Sequence, residues 1–268
     1  MDYPFENVVL IVGAGAVENS WQPIIEVLKP EYNFEFDSDS ANSFLALIVY
    51  QLRFCANQKD QNSKEYLKEM LFNFNDIKTR ISRKLIDFEK DKKIFARKEY
   101  SSILDKFIFH KHIKLALIST NWDTVIDNTT NLYGHSTELL SNRLINTFHI
   151  HGTIFNPLEL YLPSEIVKEP YRSEQEDSIM FKNHVTVANT IADCNRTILY
   201  GLSLDPLDAE LLQILSIGWD SPNLKEIIII NPDHKRVANR VKLVLNDFNQ
   251  NINLIAYSPD DLITEIQY

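Results

Sequence analysis

The stretch Val8-Val9-Leu10-Ile11-Val12-Gly13-Ala14-Gly15 decides the fold of this 268-residue chain. A continuous run of aliphatic, mostly β-branched residues is typical of a parallel strand that is buried on both faces. The glycines that follow directly predict a tight turn at the carboxyl end of this strand. Because ligands of open α/β sheets bind outside the carboxyl ends of the strands, the turn marks one side of a predicted ligand cleft.

Further apolar runs predict a sheet of about six strands. They are Ile113–Ser119, Thr147–Ile150, Thr197–Tyr200, Glu226–Ile230 and Ile252–Ala256. Helical patterns separate several of these runs, which is typical of a mostly parallel sheet with helices on both faces. The sequence therefore predicts an α/β, Rossmann-like fold with Val8–Val12 at the centre of the sheet.

Two segments interrupt this alternation. Residues 38–112 contain neither Gly nor Pro and carry apolar residues at helical spacing, which predicts about three inserted helices. Residues 154–177 contain three prolines and predict a mobile loop over the site. Because no repeat or low-complexity linker is present, we expect a single domain over residues 1–268, with a helical lobe inserted at about 38–112.

The charge balance argues against direct nucleic-acid binding. Lys and Arg number 27 against 37 Asp and Glu, which gives a net charge of −10. The basic stretch from Lys78 to Lys98 also carries Asp87, Glu89 and Asp91, so we interpret it as a solvated helix face. An acidic chain of this kind lacks the basic surface that nucleic-acid binding requires.

Cysteine content and hydropathy bear on zinc and on location. The two cysteines, Cys55 and Cys194, are isolated and cannot form a four-cysteine zinc site. No apolar run approaches the roughly 18 residues that a membrane helix needs, and the N-terminus lacks the pattern of a secretory signal. We therefore expect a soluble, cytoplasmic protein without bound zinc or membrane contact.

The first glycine turn permits more than one interpretation. Without Cβ atoms, Gly13 and Gly15 would let the backbone approach a pyrophosphate, with helix N-terminal amides facing its charge. The usual dinucleotide fingerprint has a third glycine where this chain has Glu18. Glu35 or Asp37 could serve as the ribose-binding acid of an ordinary dehydrogenase. A tight strand–helix turn without any ligand is also possible.

Two polar motifs follow later strands. In Ser119-Thr120-Asn121-Trp122-Asp123 the short polar side chains could cap a following helix, or Asn121 and Asp123 could hydrogen-bond a ribose or fix a water. His151 precedes Gly152, which we interpret as making room for a ligand. A histidine titrates near pH ~6.5 and can exchange a proton at neutral pH. We favour His151 over His149, which we expect to point to the opposite face of the sheet or to lie deeper along the strand.

Two further motifs complete the predicted cleft. Gly201-Leu202-Ser203, with Asp208 following, is a second glycine turn that leads from a strand into a helix. Asn231 ends the run Ile227–Ile230 and precedes Pro232, so it is either a turn residue or an adenosine contact.

Taken in order, these motifs resemble the sirtuin-like superfamily of NAD-consuming proteins over nearly the whole chain. The matching residues are Gly13-Ala14-Gly15, Thr120-Asn121-Trp122-Asp123, His151-Gly152, Gly201-Leu202-Ser203 with Asp208, and Asn231. The resemblance implies that His151, Asn121 and Asp123 are catalytic. It also implies that Gly13, Ala14, Gly15, Thr120, Gly152, Gly201, Ser203, Asp208 and Asn231 bind NAD.

Two departures from the family refine this resemblance. Deacylating sirtuins have a zinc-ribbon lobe with four cysteines, which this chain lacks. The family serine after the glycine turn is Val17 here, unless Ser20 replaces it. The resemblance is therefore greatest to prokaryotic sirtuin-like NAD hydrolases of antiviral defence, which use NAD as substrate.

The resemblance also implies how such an enzyme would be controlled. We expect a homo-oligomer, or a separate partner such as a HerA-type ATPase or an Argonaute-related protein, with residues 38–112 as the assembly surface. The alternatives are a non-catalytic subunit that binds NAD or ADP-ribose, and an NAD-dependent protein deacylase.

Overall fold

The structure is a computed structural model that describes residues 6–32, 34–110, 112–136, 145, 147–245 and 251–263. Its main sheet has six strands: β1 (Glu6–Val12), β4 (Ile113–Ser119), β5 (Thr147–His149), β6 (Arg196–Tyr200), β7 (Glu226–Ile230) and β8 (Asn253–Tyr257). Their order is β5-β4-β1-β6-β7-β8 and every pair is parallel. This is the 3-2-1-4-5-6 order of doubly wound nucleotide-binding sheets, so the predicted Rossmann-like α/β fold is confirmed.

The burial of β1 explains its uninterrupted apolar sequence. Val8, Leu10 and Val12 pack into the core on one face of the sheet, while Val9 and Ile11 pack into a second core on the other face. Successive side chains of a strand point to opposite faces, so a strand covered on both sides needs an apolar residue at every position.

Helices cover both faces of the sheet. They are α1 (Gln22–Tyr32), α2 (Ser38–Ala56), α3 (Gln61–Lys90), α4 (Tyr100–Phe107), α5 (Val125–Ser136), α6 (Glu174–Ala192), α7 (Ala209–Trp219), α8 (His234–Leu245) and α9 (Pro259–Ile263). Within the described residues, no helix is both long enough and apolar enough to cross a membrane.

The prediction of about three helices between residues 38 and 112 is confirmed by α2, α3 and α4. A short strand that the sequence did not reveal, β3 (Phe95–Ala96), lies between α3 and α4. It pairs antiparallel with β2 (Val17–Glu18), which follows the first glycine turn. Through β3, the inserted segment is therefore hydrogen-bonded to the strand β2 beside the cleft, in addition to its contacts with the helices.

One residue of the basic stretch differs from the predicted solvated face. The side chain of Lys78 on α3 is only 3% exposed and forms an ion pair with Glu165 at 3.3 Å. Lys78 is buried because it lies on the apolar face of the amphipathic helix α3. Phe74, Ile77 and Ile81 on the same face are buried in the core. The interpretation of this stretch as a solvated face is wrong at Lys78.

Candidate active site

A cleft with a volume of about 930 Å³ opens beyond the carboxyl ends of the central strands. In the sheet, β1 lies between β4 and β6. The chain passes from β1 to β4 on one side and later to β6 on the other side, so the strand order reverses at β1. The cleft lies at this switch point. Nearly all predicted site residues line it: Gly13, Ala14, Gly15, Thr120, Asn121, Asp123, His151, Gly201, Ser203, Asp208 and Asn231. Only Gly152 among the predicted residues does not.

Gly152 has a structural explanation. Its φ of +76° is unfavourable for other residues, and a Cβ at this position would lie 2.4 Å from the carbonyl oxygen of Glu159. The space beside Gly152 is therefore filled by the chain itself. The interpretation that Gly152 makes room for a ligand is wrong, because the neighbouring loop occupies that room.

The two glycine turns pack against each other. The amide of Gly15 donates to the carbonyl oxygen of Gly201 at 2.9 Å, and that of Gly13 donates to Tyr200 at 3.0 Å. The amide of Ala16 donates to Gly13 at 2.9 Å. These amides are therefore already used, and the glycines are explained by close backbone packing as well as by any approach of a ligand.

The first turn also continues differently from the predicted one. It passes through a single 3₁₀ turn, Ala14–Ala16, and β2 before α1 begins at Gln22. The expected helix N-terminus does not follow the glycines directly. Glu35 and Asp37, the acids of the dehydrogenase alternative, are not part of the cleft: Glu35 pairs with Lys29, and Asp37 caps α2.

Asn231 is a turn residue whose side chain is fully engaged. Its Nδ2 donates to the carbonyl oxygen of Leu202 at 2.9 Å, and its Oδ1 accepts the amide of Asp233 at 2.8 Å. Asn231 thereby joins the second glycine turn to the start of α8. Between the two alternatives left open by the sequence, these bonds favour the turn residue.

Asn121 has the opposite character. It follows β4, the residue is only 7% exposed, and its Nδ2 has no hydrogen-bond partner among the described residues. Its backbone is held firmly, because the amide donates to the Ser119 hydroxyl at 3.1 Å and the carbonyl faces Nδ1 of His149 at 2.9 Å. A buried donor without a partner is costly, so this arrangement is typical of a group that awaits a ligand.

Asp123 is a buried carboxyl group on the same wall. Burial, with a further contribution from Glu89, raises its pKa to about 7, although the amide of Val125 donates to it at 3.1 Å. This hydrogen bond places Asp123 at the start of α5, as the capping alternative predicted. The same carboxyl group can donate or accept a hydrogen bond near neutral pH.

The two histidines occupy different positions. His149 lies behind Asn121, where its ring contacts the carbonyl oxygen of Asn121 and the carboxylate of Asp127, each at 2.9 Å. His151 lines the cleft, with Nδ1 3.1 Å from the carbonyl oxygen of Thr120 and Nε2 3.3 Å from Asp208. The geometry therefore agrees with the preference for His151 and gives His149 a supporting position that the sequence did not reveal.

The loop predicted over the site forms a packed wall of the cleft. The ring of Tyr161 lies parallel to that of His151, with centroids 5.5 Å apart, and its amide donates to the His151 carbonyl at 2.9 Å. Glu165 is fully buried and accepts from Lys78 and from Arg172, the latter at 2.7 Å. The contact with Lys78 anchors this segment, which the sequence predicted to be mobile, to α3. In the sequence, only its three prolines indicated a loop over the site.

Two arginines at the cleft were also missed. Arg97 follows β3 and pairs with Glu18 at 2.8 Å, and Arg236 on α8 pairs with Asp233 at 2.8 Å. They supply positive charge to the cleft, where the other charged side chains, His151 aside, are those of Asp and Glu. No periodic pattern marks them in the sequence, because each reaches the cleft from outside the strand ends.

A core residue stands where the motif that the sequence resembles has a serine. Val17 is only 1% exposed and packs with the core while it touches the cleft. Ser20 also lines the cleft, and its hydroxyl donates to the carbonyl oxygen of Ala14 at 2.9 Å. Across the described residues, no three His, Cys, Asp or Glu side chains come together as a metal site.

No protein-family model and no curated protein matches this chain. Among solved structures, one described as "Structural Basis for the Mechanism and Regulation of Sir2 Enzymes" aligns with 98% of this chain and 90% of that chain. The sequence identity is 13% and the TM-score is 0.36. Because the TM-score is so low, the fold assignment rests on the strand order and register alone.

Proposed function

We propose that this chain is an NAD hydrolase that cleaves the bond between nicotinamide and ribose. The observation that carries the proposal is that Asn121, Asp123 and His151 line one cleft at the switch point of the sheet. The order of the sequence motifs, which resembles that of NAD-consuming sirtuin-like proteins, supports the same substrate. The cleft volume of about 930 Å³ suits a large organic ligand.

The proposed chemistry needs no acid for the leaving group. As the bond to nicotinamide breaks, positive charge develops on the ribose and nicotinamide departs as a neutral molecule. The unpaired Nδ2 of Asn121 and the carboxyl group of Asp123 would hold the ribose or the attacking water. His151 would take a proton from a ribose hydroxyl or from water, a role that contributes roughly 10²–10⁴-fold.

A non-catalytic subunit that binds NAD or ADP-ribose is the second candidate. It is favoured by His151, because both ring nitrogens already face acceptors in the structure. A deacylase is the least supported candidate, because its resemblance depends on a four-cysteine lobe and the chain has two cysteines.

The deciding experiment is to incubate the purified protein with NAD and to quantify nicotinamide and ADP-ribose. We expect equal amounts of both products from the wild type. His151→Ala should lower the rate on the order of 10²-fold or more if His151 is the general base. Asn121→Ala should also abolish cleavage while the protein stays folded, since Nδ2 has no partner to lose among the residues that the structure describes.

The same assay separates the two main candidates. Binding of NAD without release of nicotinamide, with and without a candidate partner, would favour the non-catalytic subunit. Product release at the wild-type rate by His151→Ala would contradict the assigned base. Circular dichroism of each variant is the control for folding.

We further propose that the protein acts in the cytoplasm in antiphage defence, within an assembly. The partner would be a second copy, a HerA-type ATPase or an Argonaute-related protein. What supports an assembly is the exposure of Leu47, Tyr50 and Phe54 along one face of α2, and of Phe72 on α3. Sedimentation of the purified chain tests self-association, and a monomer at all concentrations would contradict the homo-oligomer.

A further inference from the structure

The ring of His151 lies between two groups that accept hydrogen bonds. Its Nδ1 is 3.1 Å from the carbonyl oxygen of Thr120, and its Nε2 is 3.3 Å from Oδ1 of Asp208. A carbonyl oxygen accepts only, so Nδ1 must carry a proton. The carboxylate of Asp208 also accepts only, so Nε2 forms an ion pair with it when Nε2 carries a second proton. A ring with both protons is an imidazolium, which cannot accept another proton.

Asp208 is held in this place by its own element. It is the N-cap of α7, where its side chain accepts the amide of Leu211 at 3.4 Å. An acidic residue at a helix N-terminus is favoured by the helix dipole. The carboxylate therefore faces the ring of His151.

The other charged groups around His151 are more distant or already paired. Burial lowers the pKa of His151, but Asp208, the carbonyl group of Thr120 and Glu165 together raise it above its ordinary value, with Asp208 first among the three. Glu165 is neutralised by Lys78 and Arg172. The remaining carboxylates that line the cleft are Asp39, Asp123, Asp205 and Asp233.

We propose that Asp208 is a positioning residue that holds His151 as an imidazolium. The resemblance assigned Asp208 to cofactor binding, whereas the contact with Nε2 gives it a role through His151. The catalytic consequence rests on the proposed NAD hydrolysis. Nε2 must first lose its proton to water, after which the ring can take one proton from a ribose hydroxyl or from the attacking water.

The first test measures His151 in the ligand-free protein by NMR titration of the histidine rings, with His151→Gln to assign its signal. Asp208→Asn removes the charge and keeps a good N-cap. We expect the titration midpoint of His151 to fall by roughly one pH unit or more, the usual effect of losing an adjacent opposite charge. Glu210→Gln is the matched control, because Glu210 lies on the same helix and 3.6 Å from His184. An unchanged His151 midpoint in Asp208→Asn would overturn the proposal.

The second test is the pH dependence of NAD cleavage. If His151 must lose a proton before it acts, the acid limb of the rate profile should move to lower pH in Asp208→Asn by the same amount as the NMR midpoint. A uniform loss of rate at every pH, with no shift, would mean that Asp208 binds substrate or only caps α7. If no variant cleaves NAD but the NMR midpoint falls, the assignment of Asp208 stands and the hydrolase proposal fails.

Discussion

The two walls of the cleft differ in how far their polar groups are satisfied. On the glycine wall, the amides of Gly13 and Gly15 donate to carbonyl groups of the chain, and the side chain of Asn231 makes hydrogen bonds at both of its ends. On the opposite wall, Nδ2 of Asn121 has no partner in the part of the chain that the structure describes, and Asp123 is buried as a carboxyl group with a raised pKa. Both walls carry motifs of similar prominence in the sequence.

This difference separates residues that build the cleft from residues that would act in it. A satisfied group contributes to stability, and its loss weakens the fold. An unsatisfied buried group costs stability, and a protein keeps such groups where a ligand will complete them. We therefore expect substitutions on the glycine wall to affect folding first, and substitutions on the opposite wall to affect activity first.

Gly201→Ala should have the largest effect on stability. Gly201 has a φ of +66°, and a Cβ there would lie 2.2 Å from the backbone nitrogen of Ala16. The left-handed conformation alone costs an alanine about 1–2 kcal/mol, and backbone atoms cannot move aside cheaply. We expect the free energy of unfolding to fall by about 4 kcal/mol or more, measured by urea denaturation.

Ser203→Ala is the matched control, because Ser203 is exposed in the same turn. Its unfolding midpoint should stay close to that of the wild type. A stable Gly201→Ala protein would break the comparison, since it would mean that the glycine wall is not closed by backbone packing.

Asp123→Asn should act in the opposite direction. A carboxyl group whose pKa is raised to about 7 stabilises the fold fully only below its ordinary pKa of 3.8, and this stability is lost as the pH rises through 7. Asparagine is neutral at every pH and can keep the hydrogen bond from Val125. We expect the variant to be more stable than the wild type at pH ~8, on the order of 2–4 kcal/mol, with little difference near pH ~4.

Asp205→Asn is the control for this prediction. Asp205 lines the same cleft and accepts an amide two residues ahead, at 3.0 Å from Leu207, just as Asp123 accepts that of Val125. It is more exposed than Asp123, so its replacement should not stabilise the protein. If Asp123→Asn is no more stable than the wild type at pH ~8, the raised pKa of the Asp123 carboxyl group is contradicted. We also expect Asp123→Asn to lose NAD cleavage, because Asp123 is proposed to contact the ribose.

The fold could be predicted because its signal is local and repeated. The apolar run Val8–Val12 and its counterparts state where the strands are, and the parallel order follows from the helices between them. The strand β3 escaped detection because two residues give no periodicity. Lys78 was misjudged because a charged residue on a helix is usually solvated, and its partner Glu165 lies 87 residues away in the sequence.

The site could be predicted in part, for the same reason. Asn121 and His151 follow strands, and strand ends meet at one edge of the sheet. The contact between Asp208 and His151 depends on where α7 begins relative to β5, and no local pattern encodes that distance. Gly152 was misinterpreted because the sequence beside His151 is the same whether a ligand or the carbonyl group of Glu159 fills the space next to the glycine.

Ser20→Ala should have the smallest effect, and it sharpens the comparison at the position of the missing family serine. A serine hydroxyl has one proton to donate, and Ser20 donates it to the carbonyl oxygen of Ala14 at 2.9 Å. Phosphate oxygens of NAD need donors, so a hydroxyl used in this way belongs to the closed wall.

We expect Ser20→Ala to lose about 1 kcal/mol of stability, the net value of one hydrogen bond, with an unchanged KM for NAD. Thermal unfolding together with initial-rate kinetics measures both quantities on the same preparation. Ser20→Thr, which keeps the hydroxyl, is the matched variant and should recover the stability. A raised KM with unchanged stability would instead assign Ser20 to the substrate and open the glycine wall to it.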